Sequence, residues 1–341
     1  MTRHFPSEWA AQSAIQFTFP HENSDWQPMM DVVVPCFVGL IEAVTKYQKA
    51  IVICKNSVET AKILRGANLE NLQLIELESN DTWARDHGGI VVYEDNRPIL
   101  LDFMFNGWGL KFAANDDNLL TQKMYDLGVF NVEKIEKAGL VLEGGGIESD
   151  GEGTLMTTSE CLLSPNRNPH LSKKDIEKRL KKLFGVRRIL WLNHGYLAGD
   201  DTDSHIDTLA RFCDAQTICY VQCLDKKDEH YTALKAMEKE LKAFKKADGT
   251  RYNLVPLPMS AAIFDEEGER LPATYANFLI INGAVLVPTY GVPQDQKALD
   301  ILRGCFPTRE VIGLDCRPLI YQHGSLHCVT MQFPEGCINF L

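Results

Sequence analysis

Apolar residues recur at spacings of three and four in six stretches, about 29–49, 57–66, 116–128, 172–184, 230–247 and 294–305, and each predicts an amphipathic helix. Two of them carry start signals. Ser172 stands before Lys173-Lys174-Asp175, with Leu171, Ile176 and Leu180 on one stripe, and Pro293 opens the stretch holding Ala298, Leu299 and Leu302. Between the helices lie short runs rich in Val, Ile, Leu and aromatic residues. They predict strands at 50–54, 72–77, 89–93, 99–105, 140–142, 153–163, 188–192, 206–221, 252–257, 276–288, 310–314 and 326–332. Strands and helices alternate throughout, and no Ser/Gly/Pro-rich linker divides the chain. The expectation is one α/β domain over residues 1–341.

A repeat emerges when the polar segments are aligned. Four of them share a polar run, a turn containing Gly or Asp, and then an apolar strand: Trp83-Ala84-Arg85-Asp86, Glu143-Gly144-Gly145, Ser204-His205-Ile206-Asp207 and Tyr275-Ala276-Asn277. Anchored at 86, 143, 205 and 276, the steps are 143 − 86 = 57, 205 − 143 = 62 and 276 − 205 = 71, and Gln16-Phe17-Thr18-Phe19 begins 86 − 16 = 70 earlier. This spacing points to five ββα modules about an axis, each bringing a strand end to a shared centre. The competing reading is an ordinary mixed sheet with coincidental spacing.

Composition narrows the function. The 341 residues are 45% apolar and 24% charged, which excludes a disordered tail, a collagen-like repeat or a coiled coil. Thirty-five basic against 46 acidic residues give 35 − 46 = −11, and there is no sustained basic stretch, so a nucleic-acid partner is not expected. A negative field suits a small cation. None of the ten cysteines forms a C-x-x-C pair, which argues for buried free thiols in a reducing cytoplasm. The N-terminus lacks the apolar run of a signal peptide, and the apolar stretch at 278–287 is split by Asn282-Gly283, so neither secretion nor membrane insertion is expected. Homo-oligomerisation is left open.

Four polar clusters are candidates for chemistry. The first, from Asp81 to Gly89, places Asp86 near Gly88-Gly89. In the second, Glu143 precedes three glycines, and Asp150-Gly151 reads as a hairpin turn. The third runs from Gly199 to Asp207. On a strand, its His205 and Asp207 would share one face, giving an acid/base beside a cation holder. A divalent-metal loop from Asp200, Asp201 and Asp203 is the rival, but it lacks EF-hand spacing. The fourth holds His327 and Cys328. On a strand they would face opposite ways, so His205 is the better base for Cys328.

Together these segments resemble the agmatine deiminase and bacterial-type peptidylarginine deiminase family of guanidine-modifying enzymes. The resemblance runs through Trp83-x-Arg85-Asp86-x-Gly88, Phe105-Asn106-Gly107-Trp108-Gly109, Glu143-Gly144-Gly145, Asp150-Gly151-Glu152-Gly153-Thr154, Asn166-Arg167-Asn168-Pro169, Gly199-Asp200-Asp201-Thr202-Asp203-x-His205-Ile206-Asp207, Tyr275-Ala276-Asn277-Phe278 and Gly324-Ser325-Leu326-His327-Cys328-Val329-Thr330. It implies a pentein-type α/β propeller of five pseudo-symmetric modules. It further implies Cys328 as nucleophile, His205 as general acid and base, Glu143 orienting His205, and Asp86 and Asp207 gripping a guanidinium. Trp83 would wall the site and Asp201 would meet the amine of agmatine. No metal or organic cofactor is needed, and the implied pathway is putrescine formation. Two departures lie where the substrate tail would enter: His323-Gly324-Ser325-Leu326 replaces the usual Gly-Gly-Asn-Ile, and Asp203-Ser204 replaces an Asn-containing version. Alternatives are a peptidyl- or free-arginine deiminase, an amidinotransferase, a non-catalytic cation-binding propeller and an acidic metal-binding module.

Overall fold

The computed structural model describes residues 2–340. All six predicted helices are present, as Met30–Thr45, Ser57–Ile63, Asp117–Asp126, Lys173–Phe184, Tyr231–Ala243 and Gln294–Cys305. Helix Lys173–Phe184 shows how local sequence sets the boundaries. The Ser172 hydroxyl accepts the Asp175 N–H, and the Asp175 carboxylate accepts the Ser172 N–H, closing a capping box. Ile176, Leu180, Leu183 and Phe184 fall on one buried face. Burying each such side chain stabilises by about 1.5–3 kcal/mol. The helix stops at Gly185, whose φ of +70° and close approach to the Arg3 carbonyl leave no room for a side chain.

The stretch Gln27–Thr45 is also long and apolar enough to cross a bilayer, with a mean hydropathy of 1.6. In this fold it is a core helix. Val33, Phe37, Leu40, Ile41 and Val44 are buried along one stripe, beside strand Lys49–Cys54.

The strands build five small sheets with one connectivity. In each, an antiparallel pair is followed by a helical crossover to a third strand parallel to the second. Ile90–Glu94, Arg97–Met104 and Lys134–Val141 make one unit, and Ile147–Ser149, Thr154–Thr158 and Arg188–Leu192 the next. Ala210–Asp214, Thr217–Gln222 and Asn253–Pro258 follow, then Leu279–Ile281, Ala284–Thr289 and Glu310–Asp315. The fifth unit joins the two ends of the chain. The late strand Met331–Pro334 pairs antiparallel with Gln12–Thr18, which runs parallel to Lys49–Cys54. The repeat expected from spacing is therefore there as five like units, with one correction. The segment at Gln16 belongs to a second strand, and the first strand of its unit comes from the far end of the chain.

Three predicted strands resolve differently. The 153–163 stretch is strand Thr154–Thr158 followed by a helical turn at Ser159–Leu162. Within 206–221, Ile206–Thr208 is a 3₁₀ turn and the strands begin at Ala210. At 326–332 only the end is strand, from Met331, and residues 326–329 form a turn. The cause is local competition for backbone groups. Thr208 Oγ1 donates to the His205 carbonyl at 2.8 Å, and Thr330 Oγ1 donates to the His327 carbonyl at 3.0 Å. All ten cysteines are free thiols, eight of them buried.

Candidate active site

The turn before the first strand of every unit carries a polar residue. Asp86 lies in the single helical turn Ala84–His87 before Ile90–Glu94. Glu143 leads into the 3₁₀ turn Gly144–Gly146 before Ile147–Ser149. His205 and Asp207 stand at the turn before Ala210–Asp214, Asn277 just before Leu279–Ile281, and Cys328 just before Met331–Pro334. His205 and Asp207 thus converge from a turn and not from one face of a strand, and Cys328 is likewise on a turn.

Gly145 marks the point of convergence. A Cβ there would sit 2.6 Å from His205 Nδ1, 2.9 Å from Asp86 Oδ1 and 3.1 Å from Asp207 Oδ2. Its N–H donates to Asp86 Oδ1 at 3.0 Å, and Trp108 Nε1–H donates to Asp86 Oδ2 at 2.9 Å. His205 Nδ1 is 3.7 Å from Asp86 Oδ1, and Nε2 is 3.9 Å from Glu143 Oε2. Glu143 is fixed from behind by Arg167, whose Nε donates to both carboxylate oxygens at 2.9 Å, while Arg167 Nη1 reaches Asp203 at 2.5 Å.

The electrostatics follow from burial and these partners. Burial alone would push His205 toward its neutral form, but Asp86, Cys161 and Glu143 outweigh it and raise its pKa well above the usual histidine range. Burial raises Asp86 despite its imidazole neighbour. Glu143 is pushed up by burial yet held below the usual glutamate range by His205 and Arg167. The Cys328 thiol is raised well above an ordinary thiol, chiefly by burial and then by Asp207 and Asp86. A neutral thiol thus faces two carboxylates.

Cys328 is held by Asn277, whose side-chain oxygen accepts the His327 N–H at 2.9 Å and the Cys328 N–H at 3.3 Å and lies 3.4 Å from Sγ. His327 turns to a different network. Its Nδ1 is 2.7 Å from Asp207 Oδ2 and its Nε2 is 2.7 Å from Glu8 Oε2. Glu8 in turn binds Arg211 at 2.8 Å, and Arg211 also pairs with Glu148. That chain occupies one oxygen of Asp207. The other, Oδ1, is buried with no hydrogen-bond partner, as is His205 Nε2. The Asp207 oxygen is an orphaned buried acceptor that calls for a donor, and the protonated His205 Nε2 is an orphaned donor.

Cys328 opens on a cavity of about 380 Å³, mouth included, lined by Asp25, Asp81, Asp86, Asp201, Trp83, Trp108, Phe112 and His323 among others. Trp83 is a wall, and only a glycine at 324 allows its ring so close, because a Cβ there would lie 2.1 Å from it. Asp201 lies at the rim with its pKa raised to about 6, mainly by burial. The rest of its loop does not offer a metal cage. Asp200 accepts from Thr202 and Ser204, and Asp203 pairs with Lys111 at 2.8 Å and with Arg167. Glu143, Cys161 and His205 do bring ligand atoms within 4.8 Å of one another, as do Glu8, Glu148 and His327. In both groups a carboxylate is already neutralised by a buried guanidinium.

The sequence-predicted residues are therefore brought together: Cys328, Asp86, Trp83 and Asp201 line the cavity, while His205, Asp207 and Glu143 pack behind Asp86 around Gly145. Sequence reading gave no role to Trp108, Arg167 and Asn277, although each sits in a motif of the resemblance. For Asn277 the repeat was a usable signal, since it occupies the position that Asp86 and Cys328 hold in their units. Glu8 and Arg211 had no signal, being distant in sequence from every motif.

Comparison with known proteins settles the ancestry. The family model described as Porphyromonas-type peptidyl-arginine deiminase matches residues 4–334. The chain belongs to that family. Among curated relatives, the agmatine deiminase of Pseudomonas syringae pv. tomato is 30% identical over 97% of this chain and 95% of its own length, and that of Medicago truncatula is 31% identical over 97% and 96%. Among solved structures, a candidate arginine deiminase from Porphyromonas gingivalis is 55% identical with a TM-score of 0.95, covering 99% of this chain and 100% of its own. A cysteine-to-serine variant of C. jejuni agmatine deiminase with substrate bound is 38% identical with a TM-score of 0.91, covering 98% and 97%.

Proposed function

We propose that this protein is a cysteine-dependent deiminase of guanidino amines, converting agmatine to N-carbamoylputrescine and ammonia in a putrescine-forming route. The observation that carries the substrate assignment is the lining of the cavity. It presents the acidic groups of Asp25, Asp81, Asp86 and Asp201, Asp81 with its pKa raised to about 7 by burial, and no Lys or Arg side chain. Agmatine is a dication, and such a wall suits both its ends. An α-carboxylate would meet these acidic groups with no lysine or arginine lining the cavity to pair with it.

In this reading one closed ring of five modules forms a single domain, and the turns at its axis hold the substrate. Asp86 and the free oxygen of Asp207 accept guanidinium N–H groups and fix the central carbon over Sγ. The cation offsets the two carboxylates that, with burial, keep Cys328 protonated, so binding favours the thiolate and the thiol proton leaves to solvent. Sulfur attacks the carbon, and the tetrahedral adduct expels one nitrogen as ammonia, with His205 giving it a proton. This leaves an S-alkylthiouronium. His205, held by Glu143, then takes a proton from water, whose oxygen adds to the same carbon. The C–S bond breaks and the ureido product departs with the thiolate restored.

A second reading, deimination of free or peptidyl arginine, is favoured by the likeness to the P. gingivalis protein. A ureido-product assay with agmatine, arginine and an arginine peptide, without added metal, separates them. Turnover of agmatine at least tenfold above the others supports the first reading, preference for an arginine substrate supports the second, and no product from any of the three removes both.

A further inference from the structure

Outside the candidate active site, three thiols from two neighbouring modules meet. Cys213 lies in strand Ala210–Asp214, Cys219 in its antiparallel partner, and Cys305 is the last residue of helix Gln294–Cys305 in the next unit. The ladder shifts register between Phe212 and Asp214, so Cys213 is the extra residue of a bulge, a feature that re-aims a side chain. Its sulfur comes within 3.0 Å of Cys219 Sγ, which is 3.6 Å from Cys305 Sγ. All three sulfurs lie within 4.8 Å of one another, two buried and the third half-exposed.

We propose that Cys213, Cys219 and Cys305 form a three-thiolate site for a thiophilic d¹⁰ cation of the zinc(II) or copper(I) kind. Three sulfur ligands select soft cations over magnesium or calcium. A metal–sulfur bond of about 2.3 Å in tetrahedral geometry separates sulfurs by about 3.8 Å, so the group needs to open by less than about 1 Å. The bulge at Cys213 supplies that freedom, because the pair that must widen is Cys213–Cys219 at 3.0 Å, while Cys219–Cys305 at 3.6 Å already nearly fits. The carboxyl end of helix Gln294–Cys305 also places its negative dipole beside the ion. Solvent at Cys305 completes the fourth position. Occupancy would pin the hairpin of one module to the helix of the next.

The test is anaerobic titration of the reduced full-length protein with Cd²⁺, read by thiolate-to-metal charge-transfer absorption. One ion per chain is expected, with the half-exposed Cys305 protected from alkylation as read by mass spectrometry. Competition with Zn²⁺ and with Cu⁺ then ranks the two natural cations. Cys305→Ser, at the half-exposed position, should weaken uptake at least tenfold without changing guanidino turnover, and Cys36→Ser should leave uptake unchanged. An undiminished signal in Cys305→Ser, a signal lost only in Cys328→Ser, or alkylation of Cys305 unaffected by Cd²⁺ would each overturn the proposal. So would air oxidation to a disulfide without uptake under reducing conditions.

Discussion

His327 adjoins Cys328 in sequence, yet its imidazole is bonded 2.7 Å from Asp207 and 2.7 Å from Glu8, facing a different cavity from the one the thiol lines. The histidine is a positioning residue for Asp207. It ties one carboxylate oxygen into a buried network ending on Arg211, and the other is left without a hydrogen-bond partner, free for the proposed substrate contact. His327→Ala strands buried groups on both sides, at a cost of about 1–3 kcal/mol for each unsatisfied partner. The expected result is a lowered denaturation midpoint with KM raised more than kcat is reduced. His327→Asn, which keeps one donor, should recover part of both. An unchanged KM in a folded alanine variant contradicts the assignment.

The neutral thiol of Cys328 makes a distinctive prediction about reactivity. Burial and two carboxylates hold the proton on sulfur in the free protein. On the proposed mechanism a cationic haloacetamidine is expected to sit between Asp86 and Asp207 as a guanidinium would, whereas iodoacetamide is not. Charged hydrogen bonds of about 1.5–3 kcal/mol correspond to at least about a tenfold preference for the cationic reagent at neutral pH. Peptide mapping after timed alkylation measures it. Cys328→Ser should retain substrate binding while turnover falls by at least about 10⁴-fold, the scale of deleting a nucleophile.

Gly145 is required by space. An alanine methyl would overlap His205 and Asp86 and crowd Asp207. Overpacking of this kind costs about 1–3 kcal/mol. Gly145→Ala is therefore expected to remain folded by circular dichroism but to lose most activity. Normal kcat/KM in that variant would mean that these three side chains do not act at the positions described.

Asp201, if it meets the amine as proposed, is expected to set an acid limb. Its pKa is raised to about 6 by burial, with His323 opposing and Asp200 adding to the effect. Above that pH it is ionised and attracts an amine, and below it the charge is lost. KM for agmatine should accordingly climb as pH falls through about 6, approaching tenfold per unit, while Asp201→Asn should show a high KM with that limb removed. Initial rates between pH 5 and 8 decide it, and an identical acid limb in the variant rules Asp201 out.

Much of this protein was determined by local sequence. Apolar spacing placed all six principal helices, and Ser172, Asp175 and Gly185 set the ends of one of them, because capping needs only residues a few positions apart. The recurrence of polar turns pointed to five units, and the motifs around Asp86, Glu143, His205 and Cys328 marked the candidate site through their resemblance to the family. Tertiary structure decided what depends on distant segments meeting. Pairing of Met331–Pro334 with Gln12–Thr18 closes the fifth unit from the two ends of the chain, which no local signal encodes. It also drew His205, Asp207 and Cys328 onto turns, where threonine hydroxyls compete for the backbone. Glu8 and Arg211, 203 residues apart, became partners only because burying a charge demands an opposite charge, and the fold alone selects which one.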